Sequence, residues 1–237
     1  MAWKWFDSEI IEIIDLTPST KLFKLKVKSD VPWEFIPGQF ITLDLPLGGK
    51  KRAGWRSYSI ANAPNSENVL ELCIVRLEGG KGTHYLFDVA KVGTIIPFKG
   101  PHGHFVLPED PSLDIVAICT GTGIAPMRSM WLPALEQGRK FHIIFGTRTK
   151  TDILFENEMQ TLAERYPNFR YSICLSREDL EGYHHGYVHN VYTDEYSQNT
   201  ENRVFFLCGW SEMVDQARTN LRQFGIDKKK IISELFG

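Results

Sequence analysis

The chain has 237 residues, 43% hydrophobic and 24% charged, with 27 Lys and Arg against 29 Asp and Glu for a net charge of −2. That length suits one large domain or two small ones, and the near balance of charge excludes a strong basic field for nucleic acid or an anionic membrane. No apolar run approaches the roughly 18 residues of a membrane span, and residues 1–9 carry acids early without a leader-like apolar core, so a cytoplasmic protein is expected.

Residues 1 to about 108 read as short strands broken by Gly and Pro. The clearest are Leu22–Val27, Gln39–Leu45, Arg56–Ala61 and Val69–Val75, separated by turns such as Pro37-Gly38 and Pro46 to Gly49. The pattern predicts an antiparallel barrel, interrupted by one helix over Thr83–Ala90. Within it, Arg56-Ser57-Tyr58-Ser59 places a cation, an aromatic and two hydroxyls on one strand. Alternate strand residues share a face, so Arg56 and Tyr58 point one way and the serines the other. A guanidinium suits a phosphate and a tyrosine suits a flat ring, a pair of features that a flavin nucleotide combines.

After Pro108-Glu109-Asp110-Pro111, a plausible junction, the pattern changes. Apolar runs Ile115–Cys119, Phe141–Phe145, Tyr171–Leu175 and Val204–Cys208 alternate with helical stretches Ala125–Leu135, Phe155–Tyr166, His189–Glu195 and Glu212–Phe224. That alternation predicts a doubly wound parallel sheet. The expected domains are therefore residues 1–110 and 111–237.

Gly121-Thr122-Gly123-Ile124-Ala125-Pro126 follows the first strand of the second half and opens its first helix. Two glycines allow close backbone approach, and a helix N-terminus favours phosphate, although the third glycine of the usual dinucleotide fingerprint is missing. Cys208-Gly209 stands at the carboxyl end of the last apolar run, where open α/β sheets bind ligands; a buried thiol is an equal reading. Cys73, Cys119 and Cys174 read as reduced, buried thiols, and neither cysteines nor histidines show metal-site spacing, so no metal is expected. His184 and His185 read as surface or loop residues. Lys228-Lys229-Lys230 reads as a solvated turn. The final Glu234-Leu235-Phe236-Gly237 follows a strand-like run that can anchor it.

Taken in order, these motifs resemble the ferredoxin-NADP reductase family of flavoprotein reductases over nearly the whole chain. Pro37-Gly38-Gln39-Phe40, Arg56-Ser57-Tyr58-Ser59, Gly80-Lys81-Gly82-Thr83, Gly100-Pro101-His102-Gly103-His104-Phe105, Gly121 to Pro126, Cys208-Gly209 with Met213, and the ending Glu234-Leu235-Phe236 match the family's motifs in sequence. The resemblance implies an N-terminal FAD-binding Greek-key β-barrel and a C-terminal NAD(P)-binding α/β domain. It implies that Arg56 holds the pyrophosphate, Tyr58 lies on the flavin and Ser59 bonds near its N5, with Ser57, Cys73, Val75, Arg76, Gly82 and Thr83 also cofactor-binding. Thr122, Gly123, Pro126, Gly209 and Met213 are implied at the pyridine nucleotide, with Ser59, Cys208, Glu234 and Phe236 at the transfer site. Phe236 replaces the tyrosine of plant-type members; it keeps the stacking face and loses the hydroxyl.

Arg148, Ser176, Arg177 and Tyr187 are similar to the groups around the adenosine 2′ position, and favour NADP(H) with NAD(H) as the alternative. The family's lysine near Tyr187 is replaced by His185. The implied function is hydride exchange between NADPH and FAD and single-electron exchange with a small carrier such as ferredoxin or flavodoxin. Alternatives are the reductase component of an oxygenase or a free-flavin reductase; the iron–sulfur domain often fused to oxygenase reductases has no matching cysteines in this sequence. Lys50-Lys51-Arg52 is a candidate docking patch for an acidic carrier, or a solvated loop.

Overall fold

A computed structural model describes residues 4–50, 52–198 and 200–235. The first half forms six strands: β1 (Trp5–Thr17), β2 (Thr20–Val27), β3 (Phe40–Asp44), β4 (Trp55–Ser59), β5 (Val69–Val75) and β6 (Ile95–His102). They lie in the order β4-β3-β6-β1-β2-β5, with antiparallel pairing throughout. An Ile60–Leu72 bridge and the Ala61 N–H to Glu71 carbonyl bond join the two ends and close the sheet into a Greek-key barrel. Alternation fills it: Phe23 and Leu25 of β2, Ile41 and Leu43 of β3, Leu72 and Ile74 of β5 and Phe98 of β6 are all buried in one cluster. The intervening residues Leu22 and Cys73, cross-strand partners, face outward and join the core of the second domain.

Two of these strands escape a pattern reading. In β1, Asp7, Glu9, Glu12 and Asp15 interleave with the apolar residues. In β6, Pro97 and Pro101 read as breakers. The predicted helix starts earlier than Thr83: α1 spans Lys81–His84 and runs on as a π-helical turn over Tyr85–Val89, whose Leu86 is buried in the barrel core.

The second half alternates as expected: β7 (Asp114–Thr120), α2 (Ile124–Glu136), β8 (Phe141–Thr147), α3 (Glu156–Arg165), β9 (Phe169–Leu175), β10 (His184–His185), α4 (Val188–Tyr196), β11 (Arg203–Gly209), α5 (Ser211–Gln223) and β12 (Ile231–Leu235). The strands are parallel, in the order β10-β9-β8-β7-β11-β12. Ile115, Ala117 and Cys119 pack with α2, α3 and the barrel, while Val116 and Ile118 pack with α4 and α5. Both faces are thus covered, and the strand order reverses between β7 and β11. His184 and His185 are exposed but form a short strand beside β9 rather than a loop. Lys228–Lys230 is a 3₁₀ turn, capped by the Asp227 side chain, and the chain end enters the sheet as β12. Among the described residues, no helix is long and apolar enough to cross a membrane.

A buried polar network ties β8, β9 and α4 together. His142 Nδ1 meets the Tyr196 hydroxyl at 2.7 Å and Nε2 meets Ser172 Oγ at 3.1 Å. Burial, reinforced by the charge of Arg170 and by His184, pushes the His142 pKa down to about 3. Glu195 lies 3.7 Å away but is already paired with Arg170. The unfolded chain therefore binds a proton at His142 that the folded state refuses. Full stability from this group is present above its ordinary titration near 6.5 and is lost as pH falls toward 3, by up to about 1.4 kcal/mol per pH unit. Replacing His142 with Gln is expected to flatten that acid limb, read as denaturant midpoints between about pH 7 and pH 4. An unchanged slope would assign the acid sensitivity to another group.

Candidate active site

β4 brings Arg56 and Tyr58 to the barrel's outer rim beside β5. The Arg56 Nη1 donates to the Ala53 carbonyl at 3.2 Å and the Trp55 carbonyl at 2.7 Å. Its Nε and Nη2 carry no partner among the described residues, so part of the fork stays available to an anion. The side chain passes over Gly82, where an added Cβ would stand 3.0 Å from Arg56 Cγ and Nε. Only glycine leaves that space open at the start of α1. Tyr58 packs partly against the barrel core, and burial, partly offset by Arg56, pushes its phenol up to about 12. It therefore stays a protonated, flat, half-covered surface.

The serines lie on the opposite side of β4, as alternation requires. Ser57 Oγ bonds Thr42 Oγ1 across the strands at 3.0 Å and is exposed. Ser59 is buried and donates to Glu234 Oε2 at 3.2 Å. That bond joins the barrel to the far edge strand of the parallel sheet, 175 residues away in sequence. Glu234 in turn lies in register with Cys208 across β12 and β11. Cys208 is fully buried, and burial, with the Glu234 carboxylate adding to it, holds its thiol well above the ordinary value. Burial also raises Glu234, and the Ser59 hydroxyl partly offsets that rise. Ser59, Cys208 and Glu234 thus meet at one point between the domains. Phe236 lies outside the described residues.

Around this point the backbone is tightly built. Gly121–Gly123 forms a 3₁₀ turn leading into α2, whose N-terminus has no side-chain cap. A Cβ on Gly123 would overlap the Cys208 carbonyl, so the turn presses directly on β11. Pro126 falls in the first turn of α2, where its missing N–H removes no helical bond. The turn runs directly into this 13-residue helix, with the Ile124 N–H on the Gly121 and Thr122 carbonyls, and sets the positive end of the helix at the sheet's switch point. Thr122 sits in that turn; Met213 is buried in the first turn of α5. The residues present therefore fit a dinucleotide laid across β7 and β11.

Other expected contacts are less exposed to a cofactor. The Cys73 thiol is packed in the core between the domains, pushed by burial up to about 12, so its side chain does not reach the surface. Val75 is exposed, and Arg76 is held by Asp88 at 2.7 Å. Thr83 is the third residue of α1, not its opening: its hydroxyl accepts from the Leu77 N–H at 3.1 Å and lies as close to the Leu77 and Gly80 carbonyls. It shapes the turn through the backbone.

At the other end of the sheet, the backbone bonds Ser176 N–H to Thr147 and Arg177 N–H to Arg148 set Arg148 and Arg177 side by side, both exposed. Tyr187 is exposed just before α4. Glu178, the acid that sequence places here, accepts the Lys150 N–H at 2.6 Å, tying the two loops together. Sequence reasoning offered no partner for Glu178, because that partner is a main-chain amide 28 residues away. It also missed Arg128 of α2, whose guanidinium bridges the two domains: Nη1 reaches Glu71 at 2.5 Å and the Ala61 carbonyl at 2.9 Å. A lone arginine in a helix gave no signal of that role. Of the Lys50–Arg52 run, Arg52 stands over the Trp55 ring at 4.9 Å, and Lys51 lies outside the described residues.

Two family models match the chain. Residues 7–107 match the oxidoreductase FAD-binding domain family and residues 117–219 the oxidoreductase NAD-binding domain family. Ferredoxin–NADP reductase B of Sorangium cellulosum is 30% identical over 98% of this chain and 97% of its own length. The chain belongs to the ferredoxin–NADP reductase-like family of flavoprotein oxidoreductases. Other relatives in this family are longer. The phenol hydroxylase P5 protein of Acinetobacter pittii is 31% identical over 98% of this chain, which spans 65% of that protein. The crystal structure of the Amycolatopsis cytochrome P450 reductase GcoB superposes with a TM-score of 0.89 at 28% identity, covering 98% of this chain and 70% of the other.

Proposed function

We propose that the protein is an FAD-dependent NADPH oxidoreductase that exchanges single electrons with a small carrier protein such as ferredoxin or flavodoxin. The observation that carries this reading is the Ser59–Glu234 bond beside Cys208, which joins the strand of the flavin motif to the pyridine-nucleotide domain. When bound, FAD supplies the step between two-electron hydride and one-electron chemistry. The residues of the chain align, shield and polarise. Arg56 holds phosphate with its free N–H groups, and Tyr58 offers a flat face. Ser59 would present its hydroxyl oxygen to the flavin while donating its proton to Glu234, which fixes that hydroxyl. Cys208 and Gly209 would form the floor for the nicotinamide, and Phe236 would stack on the flavin and move when nicotinamide enters. The four buried, free thiols support a cytoplasmic setting.

NADPH is favoured over NADH because Arg148 and Arg177 stand together while Glu178 is turned onto the Lys150 amide. Replacing Arg177 with Ala is expected to weaken NADPH binding about tenfold or more, since charge-assisted bonds contribute roughly 1.5–3 kcal/mol each. NADH binding should change little. Steady-state KM values for both nucleotides check this; an unchanged NADPH/NADH preference would move the 2′-phosphate site elsewhere.

A second reading, the reductase component of an oxygenase, is favoured by the similarity to the phenol hydroxylase P5 protein. The purified protein loaded with FAD, given NADPH and offered ferredoxin, flavodoxin, an oxygenase partner and free flavin in turn, separates these readings by which acceptor is reduced. Failure to retain FAD would argue for a free-flavin reductase.

A further inference from the structure

Helix α2 touches both halves of the Ser59–Cys208 junction. Its N-cap, Gly123, presses on β11: a Cβ there would stand 2.3 Å from the Cys208 carbonyl oxygen. One turn further on, about 6 Å along the helix axis, Arg128 and Ser129 reach the continuation of β4. Arg128 Nη1 donates to the Ala61 carbonyl at 2.9 Å, and Ser129 Oγ donates to the Asn62 carbonyl at 2.7 Å. Ala61 and Asn62 are the second and third residues after Ser59. One rigid helix therefore spans from the Cys208 backbone to the end of the strand that carries Ser59.

The barrel fastens the same stretch from its own side. Ile60 bridges Leu72, the Ala61 N–H donates to the Glu71 carbonyl at 2.8 Å, and the Glu71 N–H donates to Asn62 Oδ1 at 2.7 Å. The Glu71 carboxylate also takes Arg128 Nη1 at 2.5 Å, so one guanidinium holds both the strand end and the strand that pins it. Ala61 is fully buried, in the core of the second domain. Ser59 thus has two anchors in that domain: β12 through its own hydroxyl on Glu234, and α2 through Ala61 and Asn62. The remaining edge of the guanidinium, Nε and Nη2, bonds Glu158 of α3 and touches nothing of the barrel through that pair.

We infer that Arg128 is a positioning residue for hydride transfer: by holding the strand end after Ser59 to helix α2, it sets the spacing between the flavin strand and the Cys208 backbone. This rests on the reductase reading above and adds to it a residue that touches neither cofactor. Its two carboxylate partners separate the roles. Glu71 belongs to the barrel, so that bond carries the spacing; Glu158 lies in the same domain as Arg128, so that bond carries stability alone.

The test uses the FAD-loaded protein with its Arg128→Lys and Glu158→Ala variants, mixed anaerobically with saturating NADPH at a temperature where circular dichroism shows all three folded. Lysine keeps the charge but cannot bond Ala61, Glu71 and Glu158 together. Misplacing reacting groups by about 1 Å costs on the order of a hundredfold in rate, and lysine keeps part of the anchor, so Arg128→Lys is expected to reduce its flavin about tenfold more slowly. Its KM for NADPH and its FAD content should stay at wild-type values. Glu158→Ala is expected to lower the melting temperature and leave the reduction rate unchanged. A wild-type rate in Arg128→Lys overturns the inference. So does equal slowing in Arg128→Lys and Glu158→Ala, because the loss then follows stability and not spacing. If Arg128→Lys does not fold, Ser129→Ala, which removes only the bond to the Asn62 carbonyl, takes its place: slower reduction at unchanged KM supports the inference and a wild-type rate overturns it. If neither nucleotide reduces the flavin of the wild type, it is the reductase reading that fails, and the inference falls with it.

Discussion

Replacing Arg128 with Met is expected to destabilise the protein by about 3 kcal/mol or more, because breaking a buried ion pair from one side leaves its partners uncompensated. Arg128 sits on α2, and its side chain is only 14% exposed. Nη1 donates to Glu71 on β5 and to the Ala61 carbonyl, while Nε and Nη2 form a two-bond fork on Glu158 of α3 at 2.8 and 3.0 Å. Its guanidinium also lies 4.6 Å from the centre of the Phe155 ring. Burial opposes the charge, but Glu158 and Glu71 outweigh it and hold the pKa above the ordinary value. Next to it, Ser129 Oγ donates to the Asn62 carbonyl at 2.7 Å, so one helical turn fastens both domains.

Methionine keeps much of the volume and removes every donor. Among the described residues, Glu71 would then retain only Lys24 as an ion-pair partner, at 3.9 Å, and the Ala61 carbonyl would lose its guanidinium partner. Arg128→Lys keeps the charge but cannot form the fork, and should fall between the two. Urea midpoints and m-values on all three proteins measure this. A methionine variant within about 0.5 kcal/mol of wild type would show that the clamp contributes nothing beyond an ordinary surface pair.

The second large effect is catalytic. Ser59→Ala is expected to slow flavin reduction by NADPH about a hundredfold or more, the scale typical of losing one preorganised donor or proton-coupled group. The hydroxyl is buried, fixed by Glu234 and set where the two domains meet. Its loss should also move a pH profile. Ser59 bonds the charged form of Glu234 and so holds down a pKa that burial raises. Without it, Glu234 takes up its proton at higher pH, and the acid limb of the reduction rate shifts upward. Glu234→Gln should slow reduction as well and remove that limb altogether. A Ser59→Ala enzyme with normal rate and an unshifted limb would detach Ser59 from the chemistry.

The sequence makes the architecture legible where periodicity is strong. Val69–Val75 matches β5 residue for residue, and the apolar runs locate β7, β8, β9 and β11 to within two residues at each end. It hides the strands whose patterns are diluted: β1 by four acids and β6 by two prolines. The motif residues Arg56, Tyr58, Gly82 and Gly123 are legible because tight backbone approach and cation placement leave few alternatives in residue type. Contacts made over long separations are not. Only the family resemblance sets Ser59 beside Glu234, and nothing local to Arg128 announces Glu71, because each pair is created only when β-barrel and parallel sheet close on one another. For the same reason, nothing local to Glu178 announces its bond to a main-chain amide 28 residues away.

We place the reduction of bound FAD by NADPH at the Ser59–Cys208–Glu234 junction. Anaerobic stopped-flow mixing of the FAD-loaded protein with NADPH, and separately with NADH, tests it most directly. Rapid bleaching of the oxidised flavin absorption is expected, faster with NADPH than with NADH, and strongly slowed in Ser59→Ala while FAD remains bound. A fully FAD-loaded wild-type protein whose flavin neither nucleotide reduces would contradict it.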